Sequence, residues 1–402
     1  MDCDPDHPKS DIASLSLFLA TPAQAIESRR RTHKIWGNGM TEEQYIERDD
    51  QCAESLCGRD GKFRVWWVWS NSHELEGRCN SQGFWLRGMI LIHLSSSPLV
   101  KLFLRAGVVH RLNSSASQQV ACYGIASVFT PPTYRKRGYA QHMMSLLHWV
   151  LSPESLSTFP QEWGTPPPRI PELPNGQFSV LYSDIGNFYA RCGSKLDEDG
   201  WIMRGANSVV WDASTLTPAT FSPKSSAKWK WLSENDVDGV ILRDSELIQS
   251  ELRVKPSAKV SFTFLPSGGV EAFQRERQKI FWEKENPPMD RWGAVLDTTD
   301  ASTVFATWTF ELIPSKPRTL VVTRIRVDPG DEAQVHDLLR QAFEVAKEHK
   351  IAKMEVWDAS EEIKGVLEQA GGQSIKRDEH LPAFKWYGIE RSDDIEWVLN
   401  EK

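Results

Sequence analysis

Cysteine is sparse and scattered. The six, Cys3, Cys52, Cys57, Cys79, Cys122 and Cys192, include no two C-x-x-C pairs. Neither a zinc site nor a disulfide framework is indicated, and a reducing compartment follows. A long apolar run is also lacking. The most apolar stretch, Phe84 to Leu104, is broken by Arg87, His93, Lys101 and a proline, so no uninterrupted apolar run in it reaches the roughly 20 residues of a membrane span. The N-terminus, MDCDPDHPKS, is polar and acidic, unlike a signal or transit sequence. Positive charge is not in excess: 47 Lys and Arg face 54 Asp and Glu, a net charge of -7. Whole-molecule attraction to nucleic acid or to an anionic membrane is therefore not expected. These absences point to a cytoplasmic protein with no metal, membrane or nucleic-acid partner.

What is present is a chain of 402 residues with seventeen Trp, too long for one ordinary core, so two domains are expected. Leu15 to Ala20 reads as a strand. Thr21-Pro22 supplies an N-cap with Pro at the first helical position, and a helix runs on to Gly37. Thr41 and Gln44 have capping-box spacing and start a second helix. Phe63 to Trp69 is a buried strand, and Ala121 to Phe129 is a strand of small residues. The stretch between them is hard to read beyond a strand over LVKLFL. Ser152 to Gln177 is a Pro-dense loop. Phe178 to Gly186 is a strand, NFYARCGSKL a short helix, and WIMRGANSVVW closes the first half.

The second half repeats this order. Strand TLVVTRIRV, Pro329, helix DEAQVHDLLRQAFEVAKEH, strand AKMEVWD and helix EEIKGVLEQAGG follow one another. In each half the second strand ends in Asp, at Asp184 and Asp358, and the next helix closes with Gly, at Gly193 and Gly371. The reading is two copies of one α/β module, set against the alternative of two unrelated strand–helix–strand units.

One stretch carries chemistry: YRKRGYAQHMMSLLHWVL, Tyr134 to Leu151. Ala140, Met143, Met144, Leu147, Val150 and Leu151 form the i, i+3, i+4, i+7 stripe of a helix packed on a sheet. Arg135, Lys136 and Arg137 stand at its mouth, and Gly138 lies at its first turn. A helix start offers unpaired N–H groups and the positive end of a dipole, a ready anion site. Gly138 lets an anion approach the backbone, and small Ala140 keeps the next turn clear. A solvated helix start and a nucleic-acid patch are the competing readings, and one short basic cluster without a binding motif speaks against the latter.

R-x-x-G-x-A alone is a weak pattern. Preceded by a small-residue strand and Pro, and followed by an apolar-striped helix, it resembles the signature of the GNAT superfamily of acetyl-CoA-dependent N-acetyltransferases. GIASVFTPPTYRKRGYAQHMMSLL, with LYSDIGNFY and EHLPAFKWYG, is further similar to the fungal lysine N-acetyltransferase family, over most of the chain. The resemblance implies an α/β (α+β) fold, a GNAT-type mixed sheet flanked by helices, with a catalytic domain over 1–210 and a degenerate GNAT-like module over 211–402. It implies acetyl-CoA as co-substrate, no metal, and a small amine acceptor, lysine foremost, in lysine degradation. Other acceptors left open are a polyamine, another amino acid or a protein lysine.

Site residues follow by the same resemblance. Backbone N–H groups at Ser127, Val128 and Phe129 would face the thioester carbonyl. Arg135, Lys136, Arg137, Gly138, Tyr139 and Ala140 would hold the pyrophosphate. Asn187 would bond the pantetheine arm or cap a helix, and Tyr189 would donate to the CoA thiolate or serve as a packing aromatic. The second module carries DPGDEAQVHDLL at the matching place, acidic and without the motif, so it is expected to lack a CoA site and to complete or support the first. No base is assigned: Asp184 reads best as an N-cap, His142 as solvated, and His110 lies in the poorly read region. The segment from Gly77 to Val109, including 78–106, departs from the family by being apolar and nearly free of acids. It supplies no acid at that point, and a non-catalytic acyl-CoA-binding relative stands as the second reading.

Overall fold

The computed structural model describes residues 12–70, 97–112, 114–216, 226–254, 257–298 and 303–399. The first half supplies β1 (Leu15–Leu19), α1 (Pro22–Trp36), α2 (Glu42–Glu54), β2 (Phe63–Ser70), β3 (Leu99–His110), β4 (Gln118–Phe129), α3 (Tyr139–Leu151), β5 (Phe178–Ser183), β6 (Ile202–Met203) and β7 (Asn207–Asp212). The second supplies β8 (Trp229–Leu232), α4 (Glu234–Val254), β9 (Val260–Phe264), α5 (Val270–Trp282), β10 (Gly293–Leu296), β11 (Phe305–Glu311), β12 (Thr319–Arg326) and α6 (Glu332–Glu348). It ends with β13 (Lys353–Trp357), α7 (Glu361–Gln369), β14 (Gln373–Lys376), β15 (Leu381–Trp386) and β16 (Ile395–Trp397). The expected Thr41 capping box forms, and the expected N-cap Thr21 forms one as well. Thr21 N donates to Gln24 Oε1 at 2.8 Å and Gln24 N donates back to Thr21 Oγ1 at 3.3 Å, and Thr41 and Gln44 repeat the exchange.

Two mixed sheets result. The first runs β1-β2-β3-β4-β5-β15-β6, with β9 paired to β3 and β16 to β9; the second runs β14-β7-β13-β12-β11-β10-β8. Each holds a parallel pair at its centre, β4 with β5 and β12 with β13. The repeated α/β module read from the sequence is therefore present twice.

The halves exchange strands. β7, expected to close the first half, lies in the second sheet between β13 and β14. β15, from near the end of the chain, takes the equivalent place in the first sheet, between β5 and β6. Only residues 204–206 separate β6 from β7, so the chain passes directly from one sheet into the other. Phe178, Phe262, Phe264, Phe384 and Trp386 share one buried cluster across this junction, with Phe178 and Phe262 ring centres 4.6 Å apart. Each buried aromatic of this kind contributes about 1.5–3 kcal/mol through removal from water, so the exchange is part of the core.

The first sheet packs on α3 through Trp66, Leu102, Tyr123, Met143, Leu147 and Leu181. Every residue of α3 from His142 to Leu151 is buried, more than one apolar stripe provides. The Pro-dense loop is the cause, since it folds over the outer face: Phe159 stacks edge-on to Trp149 at 5.0 Å, and Trp163 lies 6.1 Å from His142.

Candidate active site

β4 and β5 are paired only from Cys122–Phe178 to Ile125–Leu181. Beyond Ile125, β4 continues to Phe129 without β5 beside it, while the end of β5 pairs with β15. The two strands part in a V. On the other edge of β4, Ala126 faces Lys101 and Phe129 faces Leu99. Three steps on β4 thus match two on β3, which is a bulge. Ser127 sits in it with φ +51°, a left-handed conformation that turns the peptide groups off the regular ladder. Ser127 and Val128 are half-buried, while Phe129 is buried with its ring 6.2 Å from Trp36.

The chain then enters the helix mouth. Arg135, Lys136, Arg137 and Gly138 are all exposed. Lys136 and Gly138 have φ +62° and +85°, two left-handed positions that curl the loop sharply into the helix. Gly138 is the N-cap of α3, followed by Tyr139 and Ala140 in the first turn. The N–H groups of a first turn have no acceptor within the helix. Arg135 Nε donates to the Thr130 carbonyl at 3.1 Å, which folds this side chain against the loop. Arg137 lies over the Tyr134 ring at 5.8 Å. Three cations and a positive helix end thus open to solvent at the wide end of the V.

Tyr189 lies on a short turn, Phe188–Arg191, and is buried. It shares the apolar cluster of Ile125 and Leu181, the residues at which the strands part. Burial, then the proximity of Cys192 and Asp184, pushes its phenol above the ordinary value, so it stays protonated at neutral pH. Asn187 heads the turn, but its exposed side chain makes no capping hydrogen bond.

Other expectations need correction. Asp184 is not an N-cap: it accepts from His380 N at 2.8 Å and meets His380 Nδ1 at 2.9 Å, because β15 brings His380 alongside the end of β5. Burial pushes its carboxyl upward, but the hydrogen bonds and charge of His380 outweigh this and hold it below the usual value. His142 is not solvated. It is buried under the Pro-dense loop with Nε2 3.2 Å from the Leu15 carbonyl, and burial lowers its pKa. His110 ends β3, nine residues beyond Lys101, or about 30 Å at strand rise, so it is remote from the V. The segment expected to depart from its family is placed in part: 78–96 lie outside the described residues, and the remainder enters the sheet as β3.

Sequence reading missed a pocket beside the bulge. Ser127 lines it with Trp36 of α1, Arg48 and Asp49 of α2, Lys101 of β3, and Arg277 of α5. Arg48 Nη2 donates to Asp49 Oδ1 at 2.7 Å, and Lys101 Nζ is hydrogen-bonded to Asp49 Oδ2. Burial would raise the Asp49 pKa, but Lys101 and Arg48 overcome it and hold the carboxyl at about 2. Asp49 is therefore a fixed anion and a poor base. Cys52 is pushed up to about 12 by burial and stays a neutral thiol.

The second sheet repeats the V without the mouth. β12 and β13 pair only from Thr319–Lys353 to Val322–Val356, and β12 bulges at Thr323 opposite Thr307/Trp308. A cleft of about 260 Å³ opens there, lined by Arg324, Arg326, Asp328, Asp331, Glu332 and Glu362 among others, with both arginines ion-paired to the buried Asp244. Asp331 caps α6 by accepting from Gln334 N at 3.1 Å, and Gln334 Oε1 accepts from Asp328 N at 2.9 Å. The chain's own side chains occupy donors that an anion would need.

Residues 213–402 match the family model described as the LYC1 GNAT-like C-terminal domain. The fold is shared with a conserved protein of unknown function from Enterococcus faecalis V583, a probable N-acyltransferase, at 9% identity and a TM-score of 0.53 over 93% of this chain and 72% of that one. A GCN5-related N-acetyltransferase from Kribbella flavida aligns at 12% identity and a TM-score of 0.48 over 92% of this chain and 71% of that one. A tandem GNAT protein from the clavulanic acid biosynthesis pathway aligns at 10% identity and a TM-score of 0.44 over 94% and 100%. No curated protein matches the chain in sequence. Among the described residues no helix is long and apolar enough to cross a membrane, and no group of three His, Cys, Asp or Glu could hold a metal ion.

Proposed function

We propose that the chain is a GNAT-like N-acetyltransferase whose first half uses acetyl-CoA to acetylate the side-chain amine of free L-lysine, as a step of cytoplasmic lysine degradation in a fungus; the family match over residues 213–402 and the shared fold support this. The observation that carries this reading is the V between β4 and β5, bulged at Ser127, which opens onto the exposed Arg135–Gly138 loop. An extended thioester with a phosphorylated tail has those two needs, a slot between strands and an anion seat at its end. The second half holds no such seat and acts by completing the acceptor pocket through α5.

Each residue then has one task. Arg135, Lys136, Arg137 and the backbone from Gly138 to Ala140 hold the pyrophosphate. Backbone N–H groups of Ser127, Val128 and Phe129 donate to the carbonyl oxygen as it gains charge. Asn187 bonds the pantetheine arm. The neutral amine attacks the carbonyl carbon, the C–N bond forms and the C–S bond breaks, with alignment doing most of the catalytic work. Lysine's ammonium, with a pKa of about 10.4, must first lose a proton to solvent; after attack the nitrogen gives up a second proton as the amide forms, and the thiolate takes up one to leave as CoA thiol. The Tyr189 phenol, kept protonated by burial, donates a hydrogen bond to the departing thiolate.

Release of CoA thiol tests this reading, measured with lysine, ornithine, polyamines and a lysine-containing peptide as acceptors. Thiol release that requires lysine supports it; release with polyamines or the peptide alone moves the acceptor elsewhere. A second reading, acyl-CoA binding without turnover, is favoured by Lys101, which places a buried cation against Asp49, the one carboxylate among the described residues that line the pocket. CoA binding with no thiol release on any amine would select it.

A further inference from the structure

The pocket beside Ser127 has an unusual charge balance for an amine site. Among the described residues lining it there are three cations, Arg48, Lys101 and Arg277, and one carboxylate, Asp49. That carboxylate is already shared between Arg48 and Lys101. Arg277 has no hydrogen bond or ion pair among the described residues; its one ring contact is with Phe273, at 5.9 Å. Burial, and then the like charge of Arg48, disfavours its ionised form, and an arriving anion relieves both penalties. A guanidinium with no ion pair among the described residues, lining the same pocket as a second guanidinium, is a seat for a planar two-oxygen anion.

Size and place agree. The enclosed space is about 30 Å³, two to three times the roughly 10–15 Å³ that one water needs, and so suits a carboxylate head group. It adjoins the bulge where the acyl carbon would lie, since Ser127 lines both. Resting on the acetyltransferase reading, we propose that Arg277, with Arg48 beside it, binds the carboxylate of the acceptor, and that the acceptor is thereby a free amino acid. A polyamine would set a second ammonium against three cations. A lysine inside a peptide has no free carboxylate to offer. Arg277 belongs to α5 and the rest of the pocket's charge to α2 and β3, so specificity is supplied by the second half and chemistry by the first.

The test is calorimetric titration of L-lysine, L-lysinamide and cadaverine into the full chain saturated with CoA. The wild-type chain should bind lysine roughly ten- to hundredfold more tightly than lysinamide, the range for a hydrogen bond to a charged group, with cadaverine weaker still. In Arg277→Met the lysine-to-lysinamide ratio should fall close to one, and Arg277→Lys should restore part of it. Equal affinity of the wild-type chain for lysine and lysinamide would overturn the proposal, as would a ratio unchanged in Arg277→Met. The wild-type ratio requires no variant, so it decides even if Arg277→Met fails to fold. Absence of acetyl transfer, with the ratio and its dependence on Arg277 intact, would remove the transferase reading and leave the carboxylate seat standing.

Discussion

Asp184 and Asp358 hold corresponding positions in the two sheets, and each receives a backbone N–H from the strand that crosses over from the other half. Asp184 follows β5 and accepts from His380 N at 2.8 Å, one residue before β15 begins. Asp358 follows β13 and accepts from Asn207 N at 2.9 Å, the first residue of β7. Asp358 also pairs with Arg377 at 3.2 Å, whose guanidinium lies 3.4 Å above the Trp357 ring. The repeated Asp of the sequence is thus a clasp on the exchanged strand.

Loss of the Asp184 clasp should weaken the chain slightly. The Asp184–His380 pair is about half exposed, so screening limits Asp184→Ala to about 1 kcal/mol. Its folded pKa is depressed, so the contribution is complete above the unfolded value of about 3.9 and is lost as pH falls through the folded value. Denaturant melts of both chains at pH 7 and pH 3.5 should show a difference that shrinks at the lower pH. A difference that grows would refute the assignment.

His148 should make the protein sensitive to mild acid. It is fully buried, with Nε2 2.7 Å from the Cys192 carbonyl and Nδ1 2.9 Å from Tyr387 Oη. The carbonyl can only accept, so Nε2 carries the proton and Nδ1 accepts from Tyr387. Ser179 then donates to Tyr387 and receives from Trp201 Nε1, both at 3.0 Å. Burial holds the imidazole neutral down to about 3. The unfolded chain takes up that proton near 6.5, so stability is full above 6.5 and falls by about 1.4 kcal/mol per pH unit between there and about 3. His148→Gln should flatten this slope, and an unchanged slope in stability against pH would exclude His148 as its source.

How much of this was legible depends on range. The Thr21 N-cap, the Thr41–Gln44 capping box and the repeated module rest on residues within one or two elements of each other, and local spacing exposes them; the same kind of spacing supplies the proposed anion mouth at Arg135–Gly138. The proposed acceptor pocket joins Asp49 to Lys101 and to Arg277, residues set side by side only when α2, β3 and α5 pack, and no spacing rule spans that gap. The strand exchange was equally hidden. β7 and β15 are short strands of six residues, half or more of them buried, and nothing in such a strand tells which of two similar sheets it joins. His142 was misjudged because a helical stripe reports only the face toward the sheet, while a Pro-dense loop covers the other.

Tyr189→Phe keeps the ring in its cluster and removes the hydroxyl. Turnover should fall by about tenfold to hundredfold, the scale of one positioned proton donor, while CoA affinity stays near that of wild type. An unaltered rate in the thiol-release assay would remove Tyr189 from the mechanism and leave it a packing aromatic.

Of the two helix mouths, the first alone is proposed to hold the phosphates. An added side chain at Gly138 meets a φ of +85° and sits 3.1 Å from Ile12 Cδ1, and a glutamate there sets a carboxylate against the pyrophosphate. Titration of acetyl-CoA into the wild-type chain and into Gly138→Glu measures this directly. One equivalent bound by wild type and none by the variant is the predicted result. Two equivalents, or binding that survives the substitution, would contradict it.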